Sequence, residues 1–350
     1  MRNAMVNQRG LISSTLLLLL LGARLIATSS AFATPQVRSS AATAVVPTLP
    51  PSAIEALSTR GYAIVPNFLP RSLVDELRRD VDALRRSSSS SSGSGSGGSS
   101  SSPPLFKRAG IGQDNTNELN EDVRVAETCF LGRNRRELTS VSLAGGRHSA
   151  RDRPGGLYDV IDGLRESLDG VVVVNAVDDG TATTAPIGSS SKLDKSLDEL
   201  LYAYYPRGGY YRRHRDSVPN SASVLRKYSL LLYLNDEGWN PEVDGGKLRI
   251  HLDGGGDEIP VGKEPEYVDV DPIGGTLVLF RSELIPHEVL DTRNERYAVV
   301  GWYNRGLTAA DVGTLGGADG GGGGVVKAAM LAVAMALVTF GIASIVAGGG

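Results

Sequence analysis

The chain has 350 residues, 41% of them hydrophobic, and a formal net charge of −3. This balance disfavours a polyanionic partner, because phosphate binding needs clustered Lys and Arg, so no nucleic acid partner is expected. The single cysteine, Cys129, excludes an internal disulfide, and alone it cannot build a thiolate metal site. We predict that Cys129 is a buried, small apolar residue.

The N-terminal segment has the composition of a targeting leader. Two arginines and a short apolar run precede a stretch of small residues, which predicts a signal peptide over 1–33. Residues 34–51, rich in Ser, Ala, Thr and Val, suit a transit peptide. The segment SAFATP at 30–35 resembles the cleavage motif of bipartite leaders in algae with secondary plastids. A plastid address and a plain secretory leader to the endoplasmic reticulum both remain open.

Two helices are predicted ahead of the main run of strands. Apolar residues recur at helical spacing over 71–86, which predicts an amphipathic helix within a helical lead-in over 52–86. A Ser/Gly tract over 87–102 cannot bury apolar surface, so we predict a disordered insert there. A second helix is predicted over 156–168, and a polar loop over 178–191.

From residue 200 onward, short apolar runs alternate with Gly, Pro, Asn and Asp. This pattern predicts many short strands separated by turns, as in a β-sandwich or jelly roll. We therefore predict a mainly β domain with flanking helices (α+β) over 103–307, with its core over 200–305 and the helices outside one sheet. The predicted strands cover 201–205, 228–234, 247–252, 267–270, 276–280 and 296–303.

The C-terminal segment has the composition of a membrane anchor. A Gly-rich linker over 308–327 precedes residues 328–347, of which none is charged and most are apolar. A helix needs about 20 such residues to cross a bilayer. We predict a transmembrane helix over 328–347 and hence a membrane-associated protein, whose orientation stays open because Lys327 is the only flanking charge.

The residues with the clearest chemistry are a His-x-Asp pair and a later histidine. His214 and Asp216 are two positions apart, and on an extended strand such residues point to the same face. One strand end can therefore offer an imidazole and a carboxylate to one metal ion, with His287 as a third ligand. Two histidines and one carboxylate form the facial triad of non-haem Fe(II) oxygenases, which leaves metal positions open for O2 and a co-substrate.

Arg296 lies nine residues after His287 and opens an apolar strand. A planar guanidinium suits bidentate capture of a carboxylate. An arginine in this place is better explained as part of a site than as a surface ion-pair residue. In contrast, His251 alternates with Lys247 and Arg249 and is predicted to face solvent.

Several short motifs follow one another in order between Tyr204 and Asn304. They are YP at 205–206, YRRHRD at 211–216, LYLN at 232–235 with Trp239, GGKLRI at 245–250, PHEV at 286–289, RYA at 296–298 and WY at 302–303. Together they resemble the catalytic domain of the prolyl 4-hydroxylase-like 2-oxoglutarate dioxygenases, most closely the hypoxia-inducible-factor prolyl hydroxylase branch. The helical lead-in resembles that family more loosely.

This resemblance implies a double-stranded β-helix, a form of jelly roll, as the catalytic core. Arg296 and Tyr233 would bind the distal carboxylate of the co-substrate 2-oxoglutarate, and Tyr205 would line its pocket. Members of the family often also need L-ascorbate, which keeps the iron reduced. The implied Fe(II) ligands, catalytic together with Arg296, are His214, Asp216 and His287.

The implied reaction consumes 2-oxoglutarate and O2, hydroxylates a peptidyl residue, foremost proline, and releases succinate and CO2. The presence of Asp216 favours hydroxylation, since related halogenases lack this carboxylate. The expected partner is a proline-containing peptide or protein. Three alternatives remain open: the same chemistry on a lipid or small metabolite, a membrane-tethered pseudoenzyme that binds 2-oxoglutarate or a peptide, and a jelly-roll sugar-binding module with a coincidental His-x-Asp pair.

Overall fold

The computed structural model describes residues 46–89, 105–111, 118–131, 149–169, 171, 192–195, 199–219, 221–252 and 265–306. All of them belong to one compact unit. The segments predicted as signal peptide, polar loop, Gly-rich linker and transmembrane helix lie outside these residues, as does most of the predicted transit peptide and Ser/Gly insert. Within the described part of the chain, no helix has the length and apolar character needed to cross a membrane.

One helix precedes the first strand, a second follows it, and a third precedes the main run of strands. The two predicted helices are confirmed, with the first extended by three residues at its C-terminal end and the second one residue shorter at its start. The amphipathic pattern of the first buries one apolar stripe, as helical spacing requires. The helices are α1 (Pro51–Arg60), α2 (Arg71–Ser89), α3 (Leu157–Leu168) and the single turn α4 (Pro241–Asp244).

The strands form two antiparallel sheets. They are β1 (Tyr62–Val65), β2 (Lys107–Arg108), β3 (Arg124–Val125), β4 (Glu127–Phe130), β5 (Leu200–Tyr205), β6 (Tyr210–His214), β7 (Arg226–Tyr233), β8 (Leu248–His251), β9 (Tyr267–Val270), β10 (Leu277–Arg281), β11 (His287–Val289) and β12 (Arg296–Asn304). The larger sheet has the order β1-β10-β7-β12-β5-β4-β2, and the smaller has the order β3-β6-β11-β8-β9. All six predicted strands are observed, with ends that differ by two residues at most.

From β5 onward the chain passes back and forth between the two sheets. Strands β5, β7, β10 and β12 are neighbours in the larger sheet, whereas β6, β8, β9 and β11 are neighbours in the smaller one. This winding is that of a double-stranded β-helix, and it closes two sheets over one core. The predicted mainly β fold with a jelly-roll core is confirmed.

The two faces of the larger sheet have different partners. On β7, Leu230 and Leu232 pack in the core that includes α2 and α3, so these helices cover the outside of the sheet, as predicted. Leu231 and Tyr233 pack in a second core together with residues of the smaller sheet. Strand alternation therefore decides which side chains reach the space between the sheets, where the candidate site lies.

The prediction that His251 faces solvent was wrong, whereas the buried position of Cys129 is confirmed. His251 is only 6% exposed. Its Nε2 lies 3.2 Å from Glu288 Oε1, and its Nδ1 lies 3.1 Å from Arg213 Nη1. Alternation does place His251 on the face opposite Ile250, but polar side chains from β11 and from β6, the strand beyond it, contact His251 there.

Candidate metal and co-substrate site

A β-bulge shapes the strand that carries the first candidate ligand. Strands β6 and β11 pair through His214 with His287 and through Tyr211 with Val289. Two residues of β6 therefore lie opposite one residue of β11, and a bulge of this kind re-aims the side chains on either side of it. As a result Tyr211 and His214 share a face, and their rings stack with centroids 3.6 Å apart.

The three predicted ligand residues lie together. Asp216 lies two residues beyond the end of β6, and the bulged pairing sets His214 opposite His287. Asp216 Oδ1 lies 3.5 Å from His214 Nε2, and Asp216 Oδ2 lies 3.7 Å from His287 Nε2. Each residue offers one ligand atom, and these three atoms all lie within 4.8 Å of one another. The trio can therefore hold one metal ion.

Backbone carbonyls orient both imidazole rings. His214 Nδ1 lies 2.8 Å from the carbonyl oxygen of Arg212, and His287 Nδ1 lies 3.2 Å from that of Ile285. A carbonyl oxygen only accepts, so each Nδ1 is the protonated nitrogen and each Nε2 presents its lone pair to the site. Burial, reinforced by the neighbouring His214, lowers the pKa of His287 to about 4, which keeps this ring neutral at neutral pH.

The Asp216 carboxylate is held from behind by buried hydroxyl groups. Ser229 Oγ donates to Asp216 Oδ2 over 2.7 Å, and Ser282 Oγ lies 2.9 Å from Ser229 Oγ. Arg226 Nη1 donates to the backbone carbonyl of Asp216 over 3.1 Å. Burial by itself would raise the pKa of the Asp216 carboxyl, but the two neighbouring histidines and Arg226 outweigh it and hold that pKa well below its usual range. The carboxyl is therefore ionised and ready to bind a cation.

Three side chains predicted for the co-substrate meet beside this trio. Arg296 is paired in register with Tyr205 on β5, and it is completely buried. Its Cζ lies 4.9 Å from the ring centre of Tyr205 and 5.0 Å from that of Tyr233. Adjacent strands of the larger sheet therefore place these three groups on the same inward face.

The polar atoms of this second cluster fit a carboxylate. Arg296 Nε donates to the carbonyl of Gly246 over 2.9 Å. Its two terminal nitrogens and the Tyr233 hydroxyl are buried, and among the described residues none of the three has a hydrogen-bond partner. Burial raises the pKa of Tyr233 to about 12 although Arg296 opposes this, so the hydroxyl stays protonated and can donate. Buried donors need acceptors, and a carboxylate would supply them.

Gly246 makes room for the Arg296 side chain. Its φ of +71° lies in the left-handed region that side chains other than glycine rarely adopt, and a Cβ at this position would meet Arg296 Cδ at 2.9 Å. The GGK motif therefore serves the co-substrate cluster by allowing the backbone to pass close to the arginine.

A cavity of about 630 Å³ opens over the metal trio. All three candidate ligands lie on its wall, as do Tyr205 and Tyr211. The wall does not include Arg296 or Tyr233, which are fully buried; Tyr205 connects the two parts, because its side chain lines the cavity and its ring lies against Arg296.

Sequence reasoning missed three residues that support the site. Ser229 gave a signal, since it is a small polar residue at an inward-facing position of β7, in phase with Leu231 and Tyr233. Tyr211 gave none, because only the bulge turns it towards His214. Arg226 lies three positions before Ser229 and could not be told from a surface arginine.

Comparison with known proteins agrees with this site. Residues 200–304 match the model of the 2OG-Fe(II) oxygenase superfamily. The matched segment contains the metal trio, the three strands of the co-substrate cluster and the whole double-stranded β-helix. The chain therefore contains a 2OG-Fe(II) oxygenase domain, with homology to the EGLN prolyl hydroxylases.

Two curated relatives show the extent of the homology. The chain is 36% identical over 111 residues to mouse prolyl hydroxylase EGLN3, covering 31% of this chain and 41% of the relative. It is 33% identical over 115 residues to human Egl nine homolog 1, covering 33% of this chain and 24% of the relative. The chain thus spans less than half the length of either protein.

Solved structures of prolyl hydroxylases are also similar. A prolyl-4-hydroxylase from Pseudomonas putida is 26% identical, with a TM-score of 0.45, and the match covers 73% of this chain and 98% of that one. A prolyl hydroxylase from Trichoplax adhaerens, solved with a hypoxia inducible factor peptide, is 23% identical with a TM-score of 0.48, covering 72% and 87%.

Proposed function

We propose that this protein is an Fe(II)- and 2-oxoglutarate-dependent dioxygenase that hydroxylates a peptidyl residue, foremost proline. The observation that carries this proposal is the pairing of two clusters. One is a His-Asp-His trio, with Asp216 and His287 buried and both Nε2 lone pairs turned inward, and the other is a set of buried donors, Arg296 and Tyr233, that lack acceptors among the described residues. The choice of a prolyl substrate is supported by the homology to EGLN prolyl hydroxylases.

Each residue has a distinct task in this proposal. His214, Asp216 and His287 would hold Fe(II), and the terminal nitrogens of Arg296 with the Tyr233 hydroxyl would bind the far carboxylate of 2-oxoglutarate. When bound, iron and 2-oxoglutarate supply the oxidative chemistry, in which O2 and 2-oxoglutarate give succinate and CO2 and one oxygen atom enters a substrate C–H bond.

The surrounding protein orients these groups and excludes water. The carbonyls that accept from the two Nδ1 atoms keep both rings in the metal-binding tautomer. Ser229 keeps one Asp216 oxygen engaged from behind. Complete burial of Arg296 strengthens its attraction for an anion, because the local dielectric is low.

Further features of the proposal rest on the amino-acid sequence and on the family resemblance. We propose that L-ascorbate sustains activity by keeping iron reduced. We also propose a membrane-associated protein, tethered through residues 328–347 and directed to a plastid or to the secretory pathway by its leader. The composition of the two terminal segments supports these assignments.

The test is succinate formation by the full chain supplied with Fe(II), ascorbate, O2 and 2-oxoglutarate, with and without proline-containing peptides. We expect His214→Ala to abolish succinate formation and Fe(II) binding, measured separately by anaerobic calorimetry. Arg296→Ala should abolish 2-oxoglutarate binding but leave Fe(II) binding intact. Arg79→Ala, which removes an arginine from an exposed position on α2, is the control for Arg296→Ala.

The outcomes separate the alternatives. Peptide-stimulated succinate formation that is lost in both site variants supports a peptidyl hydroxylase. Binding of Fe(II) and 2-oxoglutarate without turnover on peptides, lipids or small metabolites indicates the pseudoenzyme. Absence of Fe(II) binding by the folded protein would refute the proposal and favour a non-catalytic jelly-roll module.

A further inference from the structure

The wall of the cavity over the metal trio is strongly basic. Among the described residues that line it, the single carboxylate belongs to Asp216, which is itself a candidate metal ligand. The chain as a whole has a net charge of −3, so this concentration of positive charge is local. The basic side chains on the wall are Lys107, Arg108, Arg124, Arg213, Arg215 and Arg226.

Protein carboxylates neutralise only part of this charge. Arg108 forms an ion pair with Glu121, and Arg226 binds Glu199 with Nη2 and Oε1 2.6 Å apart. Arg124 has no carboxylate partner among the described residues; its guanidinium lies 4.4 Å from the ring centre of Tyr211.

Arg124 and Lys107 are basic wall residues whose charge is available to a bound molecule. Arg124 Nε is buried and has no hydrogen-bond partner in the described part of the chain. Lys107 is exposed, and no described carboxylate pairs with it. A buried donor without an acceptor is expected to find one in a bound molecule.

The position of these two residues shows which part of a substrate they would meet. Lys107 lies on β2 and Arg124 on β3, and these are the terminal strands of the larger and the smaller sheet. The candidate iron ligands come instead from β6, β11 and the residues that follow β6. Both residues therefore lie on edge strands of the cavity wall, and the Tyr211 ring separates Arg124 from the candidate iron ligand His214.

We propose that this basic wall binds acidic side chains in the peptide segment that flanks the residue to be hydroxylated. This inference rests on the proposed function and specifies its substrate class. The co-substrate does not explain the wall, because Arg296 and Tyr233 already provide buried donors for the far carboxylate of 2-oxoglutarate outside the wall. Pairing of opposite charges supplies specificity and accelerates association.

A peptide fits these observations better than a nucleic acid does. A cavity of about 630 Å³ is on the scale of small-ligand pockets and admits a few residues of an extended chain. Single-stranded nucleic acid is bound along an extended basic track on which successive bases stack. Here the basic residues converge on one cavity of an acidic protein.

The experiment compares the binding of three fluorescein-labelled peptides to the full chain by anisotropy. The peptides share a central proline and differ only in their flanks, which carry Asp and Glu, Asn and Gln, or Lys and Arg. We expect the acidic peptide to bind about tenfold more tightly than its Asn/Gln twin at low salt, and this preference to shrink as salt is raised.

Variants that remove charge test whether the preference for the acidic peptide depends on the basic wall of the cavity. Lys107→Gln combined with Arg124→Gln should reduce the tenfold preference to about twofold, since each pair at a partly exposed site contributes modestly. Arg124→Lys, which keeps the charge, should retain most of it. Arg79→Gln combined with Arg86→Gln removes two positive charges from exposed positions on α2 and should leave the preference unchanged. Thermal melting of each variant checks the fold.

Several results would overturn the inference. They are equal binding of the acidic and Asn/Gln peptides, no binding of any peptide, an unchanged preference in the double Gln variant, or displacement of the acidic peptide by a single-stranded oligonucleotide. Failure here remains distinct from failure of the proposed function, because peptide-stimulated succinate formation without a preference for acidic flanks would leave the dioxygenase proposal standing.

Discussion

Replacing Ser229 with alanine tests how the candidate metal ligand Asp216 is held. The Ser229 hydroxyl donates to Asp216 Oδ2 over 2.7 Å, and Ser229 is completely buried, so water cannot readily replace it. A hydrogen bond to a charged group contributes roughly 1.5–3 kcal/mol. At about 1.4 kcal/mol per factor of ten, this predicts a loss of about 10- to 100-fold in metal affinity, the range found for groups that orient metal ligands.

The assay is anaerobic titration of Fe(II) into the full chain, followed by calorimetry. Ser282→Ala is the matched control, because Ser282 contacts the Ser229 hydroxyl, 2.9 Å away, but does not itself hydrogen-bond to the carboxylate. We expect a much smaller loss for this control, and we expect Ser229→Thr to restore binding through its hydroxyl. Equal Fe(II) affinities for wild type and Ser229→Ala, or equal losses for the two alanine variants, would refute this account of the site.

Three further outcomes follow from the structure. Gly246→Ala should abolish 2-oxoglutarate binding in calorimetry while Fe(II) still binds, because the new Cβ would meet Arg296 Cδ at 2.9 Å; unchanged 2-oxoglutarate affinity would contradict this. Arg151→Met should lower the free energy of unfolding in urea by about 3–5 kcal/mol, because it leaves the buried Asp80, 2.8 Å from Arg151 Nε, without its charge partner. Metal-free protein should lose about 2 kcal/mol of unfolding free energy between about pH 7 and pH 5. Burial lowers the pKa of His287 from its ordinary 6.5 to about 4, so over this range the unfolded chain takes up a proton that the folded chain does not. The loss should be smaller in His287→Gln, when both proteins are unfolded in urea at each pH.

The sequence alone was enough to predict the fold class and the residues of the two clusters. Short apolar runs bounded by Gly, Pro, Asn and Asp located six strands to within two residues of their ends, because a strand that is buried on both faces reads as a continuous apolar run. The His-x-Asp spacing, the later histidine and the following Arg296 are local signals, since residue type and spacing carry them. The structure brings His214, Asp216 and His287 together in one cluster, and it places Arg296 against Tyr233 in the second.

Only the tertiary structure determined the short edge strands, the β-bulge and the burial of His251. Strands β2 and β3 have two residues each, too few to show alternation, and they exist as strands only because β4 and β6 pair with them. The bulge that turns Tyr211 towards His214 depends on the register between β6 and β11, and the burial of His251 depends on neighbours from two other strands. The basic wall of the cavity likewise collects residues far apart in the chain. Their proximity is a property of the closed double sheet, which no sequence window spans.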